Sequence, residues 1–145
     1  AAQQATIPIR VVDGTADALP GPDAGLDAAV ASLVLCSVPD QARALAELRR
    51  VLRPSGELRF FEHMQADTPG LARAQRLADV IWPIFVGGCH TSRDTLTAIT
   101  TAGFQLISTR RIHSVAGIGA AVNHSPNGTR LLDADGHDTL LYEGK

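Results

Sequence analysis

The sequence contains little of what marks several classes of protein. It has two cysteines in 145 residues, aromatic residues make up 4% of it, and its formal net charge is −2. Two cysteines cannot form a disulfide framework, so we expect a protein of the reducing cytoplasm. The arginines between residues 43 and 53 recur at helical spacing, which is typical of a solvated helix face, so we expect no nucleic-acid partner.

A long hydrophobic run is also missing. The longest apolar run, 28–38, is about half of what a bilayer-spanning helix requires, so we expect no membrane span. The first ten residues lack the charged start and apolar core of a signal peptide, so we expect none there. The chain begins with alanine rather than methionine, which indicates that upstream residues were lost, processed or never included. Hydrophobic residues make up 45% of the chain, which is enough for one domain with a packed core.

Strand and helix patterns alternate along the first half of the chain, which predicts an α/β fold with a mostly parallel sheet. Leu26–Leu33 is nearly continuous in apolar residues, as in a strand buried on both faces. Asp40 is the predicted N-cap of a helix that stops at Pro54-Ser55-Gly56. The predicted strands are Ile7–Asp13, Leu26–Leu33 and Glu57–Glu62, with a loop at Gly14–Gly25.

The second half predicts more helix and an antiparallel C-terminal hairpin. A helix over Pro69–Phe85 is expected to break near Pro83. A second helix, capped by Thr91 or Ser92, is expected to end at Gly103 in a left-handed cap. The predicted hairpin strands are Gln105–Ile112 and Ile118–Val122. We expect residues 1–122 to form the domain and 123–145 to be an extra tail or small hairpin.

Four segments carry a resemblance to a known family. Residues 14–27 read GTADALPGPDAGLD, which is similar to the G-D-A-E-x-L-P-F-x-D-x-x-F-D turn of class I S-adenosylmethionine-dependent methyltransferases. LVLCSV at 33–38, LRRVLRPSG at 48–56 ahead of Glu62-His63, and GCHTSR at 88–93 resemble the thiol methyltransferase subfamily. The resemblance implies a Rossmann-like methyltransferase fold, S-adenosylmethionine as cofactor and a small hydrophobic acceptor, with a thiol as the leading candidate.

The resemblance also assigns roles to residues. Thr15, Ala16 and Asp17 would contact the adenine ring, with Thr15 standing where an acid is common. The other implied cofactor residues are Ser32, Leu33 and Val38. A thiol acceptor reacts as its thiolate, and free thiols have a pKa of about 8.5, so His63, with Glu62 beside it, is the candidate for taking the thiol proton. The alternative for His63 is a strand-end histidine that bonds the backbone.

The candidate substrate contacts are Cys36, Trp82, Phe85 and His90. For Cys36 the favoured alternative is a small buried hydrophobe, and for the two aromatic residues it is ordinary core packing. Cys89-His90 has no second ligand pair at metal-site spacing, so no metal is predicted.

The 145 residues contain no E/D-x-G-x-G-x-G turn and no second strand with a ribose-binding acid. The implied fold is therefore incomplete. In the family the strand order is 3-2-1-4-5-7-6. Strand three (Ile7–Asp13) should then pair with strand four (Leu26–Leu33), or strand four should pair with another copy or with a missing N-terminal fragment. The incomplete fold also leaves open a non-catalytic remnant that serves as a binding or oligomerisation module. A Rossmann-like oxidoreductase fragment fits the turn at 14–20 and the LVLCSV segment less well.

Overall fold

Four strands form one mixed sheet in the order β1–β2–β4–β3. The structure, a computed structural model, describes residues 7–114 and 117–124. The strands are β1 (Leu26–Ser32), β2 (Leu52–Met64), β3 (Leu106–Ser114) and β4 (Gly117–His124), and the helices are α1 (Gln41–Val51), α2 (Pro69–Ala78), α3 (Trp82–Phe85) and α4 (Thr95–Thr101).

The strand pairing confirms the α/β class and the antiparallel C-terminal hairpin. β1 and β2 are parallel, with α1 connecting them, whereas β4 is antiparallel to both β2 and β3. The order corresponds to the 4-5-7-6 half of the family sheet. In the described residues the parallel part of the sheet is the single pair β1–β2, whose carboxyl ends lie at the same edge.

The expectation for the first predicted strand is wrong. Residues 7–13 form no strand and do not pair with β1, and their apolar side chains are exposed, Val11 to 80%. β1 is likewise not buried on both faces: only Ala31 is fully buried, while Val30 is 67% exposed. The reason is that, among the described residues, β1 has a neighbour on one edge only and packs one face against the core.

The helix boundaries follow local capping. The side chain of Asp40 accepts a hydrogen bond from Arg43 N, as an N-cap does, and Gly103 adopts a φ of +88° after α4. The predicted long helix is two helices, because the chain leaves α2 at Asp79, before Pro83. Asp94 caps α4 in place of Thr91 or Ser92. Each helix in the described part of the chain is too short or too polar to cross a membrane.

One core cluster lies between the sheet and the helices α1 and α4. Its fully enclosed members come from the loop after β1, from α1, from β2 and from α4, and are Leu35, Leu45, Leu58 and Ile99. Because the cluster includes Leu35, just after β1, and Met64, the last residue of β2, it anchors the chain where both strands end. The first two residues of the predicted tail, 123 and 124, belong to β4, and the rest of it lies outside the described residues.

Candidate active site

The loop 33–38, which follows β1, is held by the buried carboxylate of Glu62 near the end of β2. One Glu62 oxygen accepts hydrogen bonds from Val34 N and Leu35 N, and the other accepts one from Cys36 N, all at 2.9 Å. Leu33 takes a φ of +55°, a left-handed conformation that is unusual for leucine. Glu62 is fully buried and its oxygens face three backbone donors, a geometry that positions this loop; its catalytic role stays a prediction.

The carbonyl groups of the same loop are held from the opposite side. The Arg93 guanidinium donates to Leu35 O at 3.0 Å and to Val38 O at 2.6 Å. Gln41 Nε2 donates to Leu35 O at 3.1 Å. The loop is therefore fixed through both its N–H and its C=O groups, and its conformation depends on side chains 26 or more positions away in sequence, Gln41 excepted.

Cys36, His63 and Cys89 meet at the carboxyl ends of β1 and β2. Cys89 Sγ lies 3.2 Å from Cys36 Sγ and 3.0 Å from His63 Nδ1, and Cys36 Sγ lies 3.8 Å from the same nitrogen. Both cysteines are buried, His63 is partly exposed, and neither thiol is in a disulfide. We call these three residues the Cys-His cluster.

The thiol of Cys36 is held in its neutral form. Burial raises the pKa of Cys36 to about 12, and the bond with Cys89 and the charge of Glu62 act in the same direction, against the bonds from Ser37 and from the His63 backbone. A neutral, enclosed thiol is a weak nucleophile. Cys36 is thus not an activated nucleophile in the absence of a further charge.

The segment that follows Cys89 is held by Asp79, the C-cap residue of α2. The Asp79 carboxylate accepts hydrogen bonds from the backbone and hydroxyl groups of both Thr91 and Ser92, at 2.6 to 2.9 Å. Burial alone would raise the pKa of Asp79, but these bonds outweigh it and hold the pKa below its usual range. His90 N donates to Cys36 O at 2.8 Å, which joins the two cysteine-bearing loops.

The predicted adenine turn is closed and packs against α1. Ala18 N donates to Thr15 O at 3.1 Å, and Ala16 packs against the core cluster. A hydrogen bond with the Thr15 side chain is the main cause that holds the pKa of the half-exposed Asp17 below its ordinary value. Asp17 is therefore an ionised, accessible acceptor.

Arg50 of α1 fixes the end of this turn. Its guanidinium bonds both oxygens of Glu47 at 2.8 Å, and it also donates to Leu19 O and Gly21 O at 2.9 Å. The bond from Arg50 is the main cause that lowers the pKa of Glu47 to about 2.

A pH dependence follows from this pair. Since the folded-state pKa of Glu47 is depressed from 4.5 to about 2, its contribution to stability is fully present above about pH 5 and is lost as the pH falls towards 2. Glu47→Gln should therefore lower the unfolding midpoint temperature at pH 7, and this deficit should shrink below about pH 4.5 and be mostly lost by about pH 2. Arg50→Met should reproduce the deficit, and the double variant should be less destabilised than the sum of the two. Additive effects, or a deficit independent of pH, would contradict the pairing.

The structure separates the remaining predicted site residues into two groups. Val38 and Ala16 pack against the same core cluster, and Ser32 and Leu33 stand at the end of β1. Phe85, in contrast, is 79% exposed, and Trp82 is partly buried with its indole N–H unpartnered. His90 Nδ1 lies 3.9 Å from Asp79 Oδ2.

Three residues of the site were missed by sequence reasoning: Cys89, Asp79 and Arg93. Their partners are 53, 12 and 58 positions away, so no helical or strand periodicity links them. The segment GCHTSR at 88–93 was recognised as a unit, but its spacing gave no reason to bring Cys89 to Cys36.

Comparison with known proteins finds similarity to methyltransferases. Residues 1–60 match the methyltransferase domain family. Thiol S-methyltransferase TMT1A of Homo sapiens is 36% identical over 93 residues, which cover 63% of this chain and 38% of that protein. The ubiquinone/menaquinone biosynthesis C-methyltransferase UbiE of Methylobacterium nodulans is 45% identical over 65 residues, which cover 45% of this chain and 26% of that protein. The chain thus matches well under two thirds of the length of these relatives.

Solved structures share the fold. An S-adenosylmethionine-dependent methyltransferase from Mesorhizobium loti superposes with a TM-score of 0.62 at 18% identity, covering 86% of this chain and 73% of that one. A possible histamine N-methyltransferase from Thermotoga maritima superposes with a TM-score of 0.61 at 21% identity, covering 82% of this chain and 65% of that one. At these identities the likeness establishes the Rossmann-like methyltransferase fold alone.

Proposed function

We propose a methyl-transfer function for this chain, which belongs to the class I S-adenosylmethionine-dependent methyltransferases. The acceptor that we propose is a small hydrophobic thiol. The observation that carries the proposal is the meeting of loop 33–38, His63 and Cys89 at the carboxyl ends of the parallel strands β1 and β2. Open α/β sheets bind their ligands at that edge. The match to thiol S-methyltransferases supports a sulfur acceptor.

The residues present fit the adenine end of S-adenosylmethionine. The turn at 14–20 is pre-formed, Ala16 offers an apolar contact, and the Asp17 carboxylate is half exposed and ionised, which suits an amino-group donor. The cofactor supplies a sulfonium-activated methyl group. The 145 residues do not include the glycine-rich turn that holds the remainder of such a cofactor in this family.

The residue that we assign to the acceptor's proton is His63. Its imidazole is partly exposed and stands at the end of β2, and imidazole is the side chain that most often moves a proton in catalysis. The overall reaction forms one sulfur–carbon bond on the acceptor and breaks one on the cofactor, and it yields a thioether, S-adenosylhomocysteine and the thiol proton. The role of the protein in such a transfer is mainly to align the two sulfurs and to exclude water.

Calorimetric titration of the 145-residue chain with S-adenosylmethionine and S-adenosylhomocysteine tests this proposal, followed by a methylation assay with small thiols. We expect Asp17→Ala to weaken cofactor binding about tenfold, which corresponds to the loss of one hydrogen bond to a charged group. Asp13→Ala, an exposed carboxylate just before the turn, is the matched control and should bind like the parent. Absence of binding at millimolar cofactor would favour the non-catalytic binding module.

We also infer that the exposed edge of β1 pairs with a further strand, supplied by a second copy or by another segment. Support comes from Val30, which is 67% exposed on a strand whose second edge has no neighbour among the described residues. Light scattering and hydrogen exchange test this: a monomer with rapidly exchanging β1 amides would contradict it. The cytoplasmic location expected from the cysteine content stays a prediction, which fractionation of expressing cells tests.

A further inference from the structure

The Cys-His cluster offers two sulfurs and one imidazole nitrogen around a common point. The three candidate ligand atoms, Cys36 Sγ, His63 Nδ1 and Cys89 Sγ, all lie within 4.8 Å of one another. They come from three segments: the loop after β1, the end of β2 and the loop before α4. The three side chains therefore approach one position from different directions, as the ligands of a bound ion do.

The separations are close to those of a tetrahedral zinc site. Bonds of about 2.3 Å to sulfur and about 2.05 Å to nitrogen place two sulfurs about 3.8 Å apart and a sulfur and a nitrogen about 3.6 Å apart. The observed separations are 3.2 Å between the sulfurs and 3.0 and 3.8 Å from nitrogen to sulfur. On binding, the Cys36 Sγ–Cys89 Sγ and Cys89 Sγ–His63 Nδ1 separations would therefore each lengthen by about 0.6 Å.

The surroundings hold the ligands in place, as the outer contacts of metal sites do. Cys36 N donates to the buried Glu62, and Cys36 O accepts from His90 N. Asp79 fixes the residues that follow Cys89 through four hydrogen bonds. Gly88, which precedes Cys89, has a φ of +83°, and a side chain there would approach Ser37 O to 3.2 Å, so the two loops are close-packed.

We propose that Cys36, His63 Nδ1 and Cys89 bind one zinc ion and leave its fourth coordination position open. Two thiolates and a neutral imidazole are ligands that zinc prefers, and three protein ligands with one open position are typical of catalytic rather than structural zinc. Binding releases the protons of the two cysteines to solvent. No other group of three or more such residues in the described part of the chain is arranged in this way.

The open position suits a thiol acceptor, and this part of the inference rests on the proposed function. A thiol that coordinates zinc gives up its proton to solvent and becomes a thiolate. His63 would then contribute to loss of the acceptor proton as a zinc ligand rather than as a free base. The methyl transfer still moves the methyl group from the cofactor sulfur to the acceptor sulfur and yields a thioether and S-adenosylhomocysteine.

The test is the metal content and cobalt spectrum of the full 145-residue chain, purified under reductant without chelator or histidine tag. We expect about one zinc ion per chain, and for the Co²⁺ form thiolate-to-metal charge transfer and intense tetrahedral d–d absorption. Cys36→Ser, Cys89→Ser and His63→Gln should each retain less than about a tenth of the zinc. His90→Gln removes the histidine next to Cys89 and should retain all of it. Circular dichroism identifies any variant that fails to fold, and the wild-type cobalt titration does not depend on the variants.

Several results would overturn the site. They are a wild-type chain that takes up neither zinc nor cobalt, equal zinc in the double variant Cys36→Ser/Cys89→Ser, or a Cys36–Cys89 disulfide in the chain purified under reductant. Failure of the site and failure of the proposed function are distinguishable. A chain that binds S-adenosylmethionine without zinc contradicts the site alone, whereas one that binds zinc but methylates no thiol contradicts the function alone.

Discussion

Replacing Glu62 by alanine is expected to lower the free energy of unfolding by about 3 to 6 kcal/mol. The side chain is fully buried, and its carboxylate accepts hydrogen bonds from Val34 N, Leu35 N and Cys36 N. Alanine leaves the two buried donors, Leu35 N and Cys36 N, without an acceptor, and each unsatisfied buried donor costs about 1 to 3 kcal/mol. The part-buried Val34 N loses its bond as well but is open to water. Urea unfolding followed by far-ultraviolet circular dichroism measures the change.

Two companion variants make this result interpretable. Glu62→Gln keeps the shape and one acceptor oxygen, so it should lose roughly half as much stability as the alanine variant. Asp27→Asn breaks an exposed ion pair with Arg53 and should cost less than about 1 kcal/mol. An alanine variant within about 1 kcal/mol of the parent would show that the three N–H groups find other acceptors. If the alanine variant does not fold, the free energy of unfolding of the glutamine variant can still be compared with that of Asp27→Asn.

The sequence predicts those parts of the fold that depend on neighbouring residues. Asp40 was recognised as a cap because an N-cap aspartate bonds the N–H three residues on, and Gly103 because a left-handed cap favours glycine. The hairpin of β3 and β4 followed from two short apolar runs close in sequence. The strand at 7–13 was a wrong prediction because β-branched composition expresses only a tendency, and a strand needs a neighbour to pair with.

The candidate site was predictable only in outline. The resemblance placed Cys36 and His63 near the cofactor edge, but the acid in Glu62-His63 was expected to be catalytic. Its actual partners are three N–H groups that lie 26 to 28 positions away. Cys89 meets Cys36 across 53 positions. Such contacts depend on how two loops cross above the sheet, which neither hydrophobic periodicity nor ligand spacing in the sequence encodes.

Loop 33–38 should also depend on its second anchor, so Arg93→Met is expected to destabilise the chain by about 2 to 3 kcal/mol. Methionine retains much of the length of arginine but donates no hydrogen bond, and it leaves Leu35 O and Val38 O without the bonds now made at 3.0 and 2.6 Å. Bonds in which one partner is charged are worth about 1.5 to 3 kcal/mol each, and Gln41 still donates to Leu35 O, which limits the loss.

The matched control is Arg73→Met on the exposed face of α2, which should change the free energy of unfolding by less than about 0.5 kcal/mol. Because Glu62 and Arg93 hold opposite sides of one loop, their effects should not be additive. Once Glu62→Gln has loosened the loop, the cost of Arg93→Met should fall by about 0.5 kcal/mol or more. Strict additivity would mean that the two side chains stabilise the chain independently, and that the loop carrying Cys36 is not the single rigid element on which the candidate site depends.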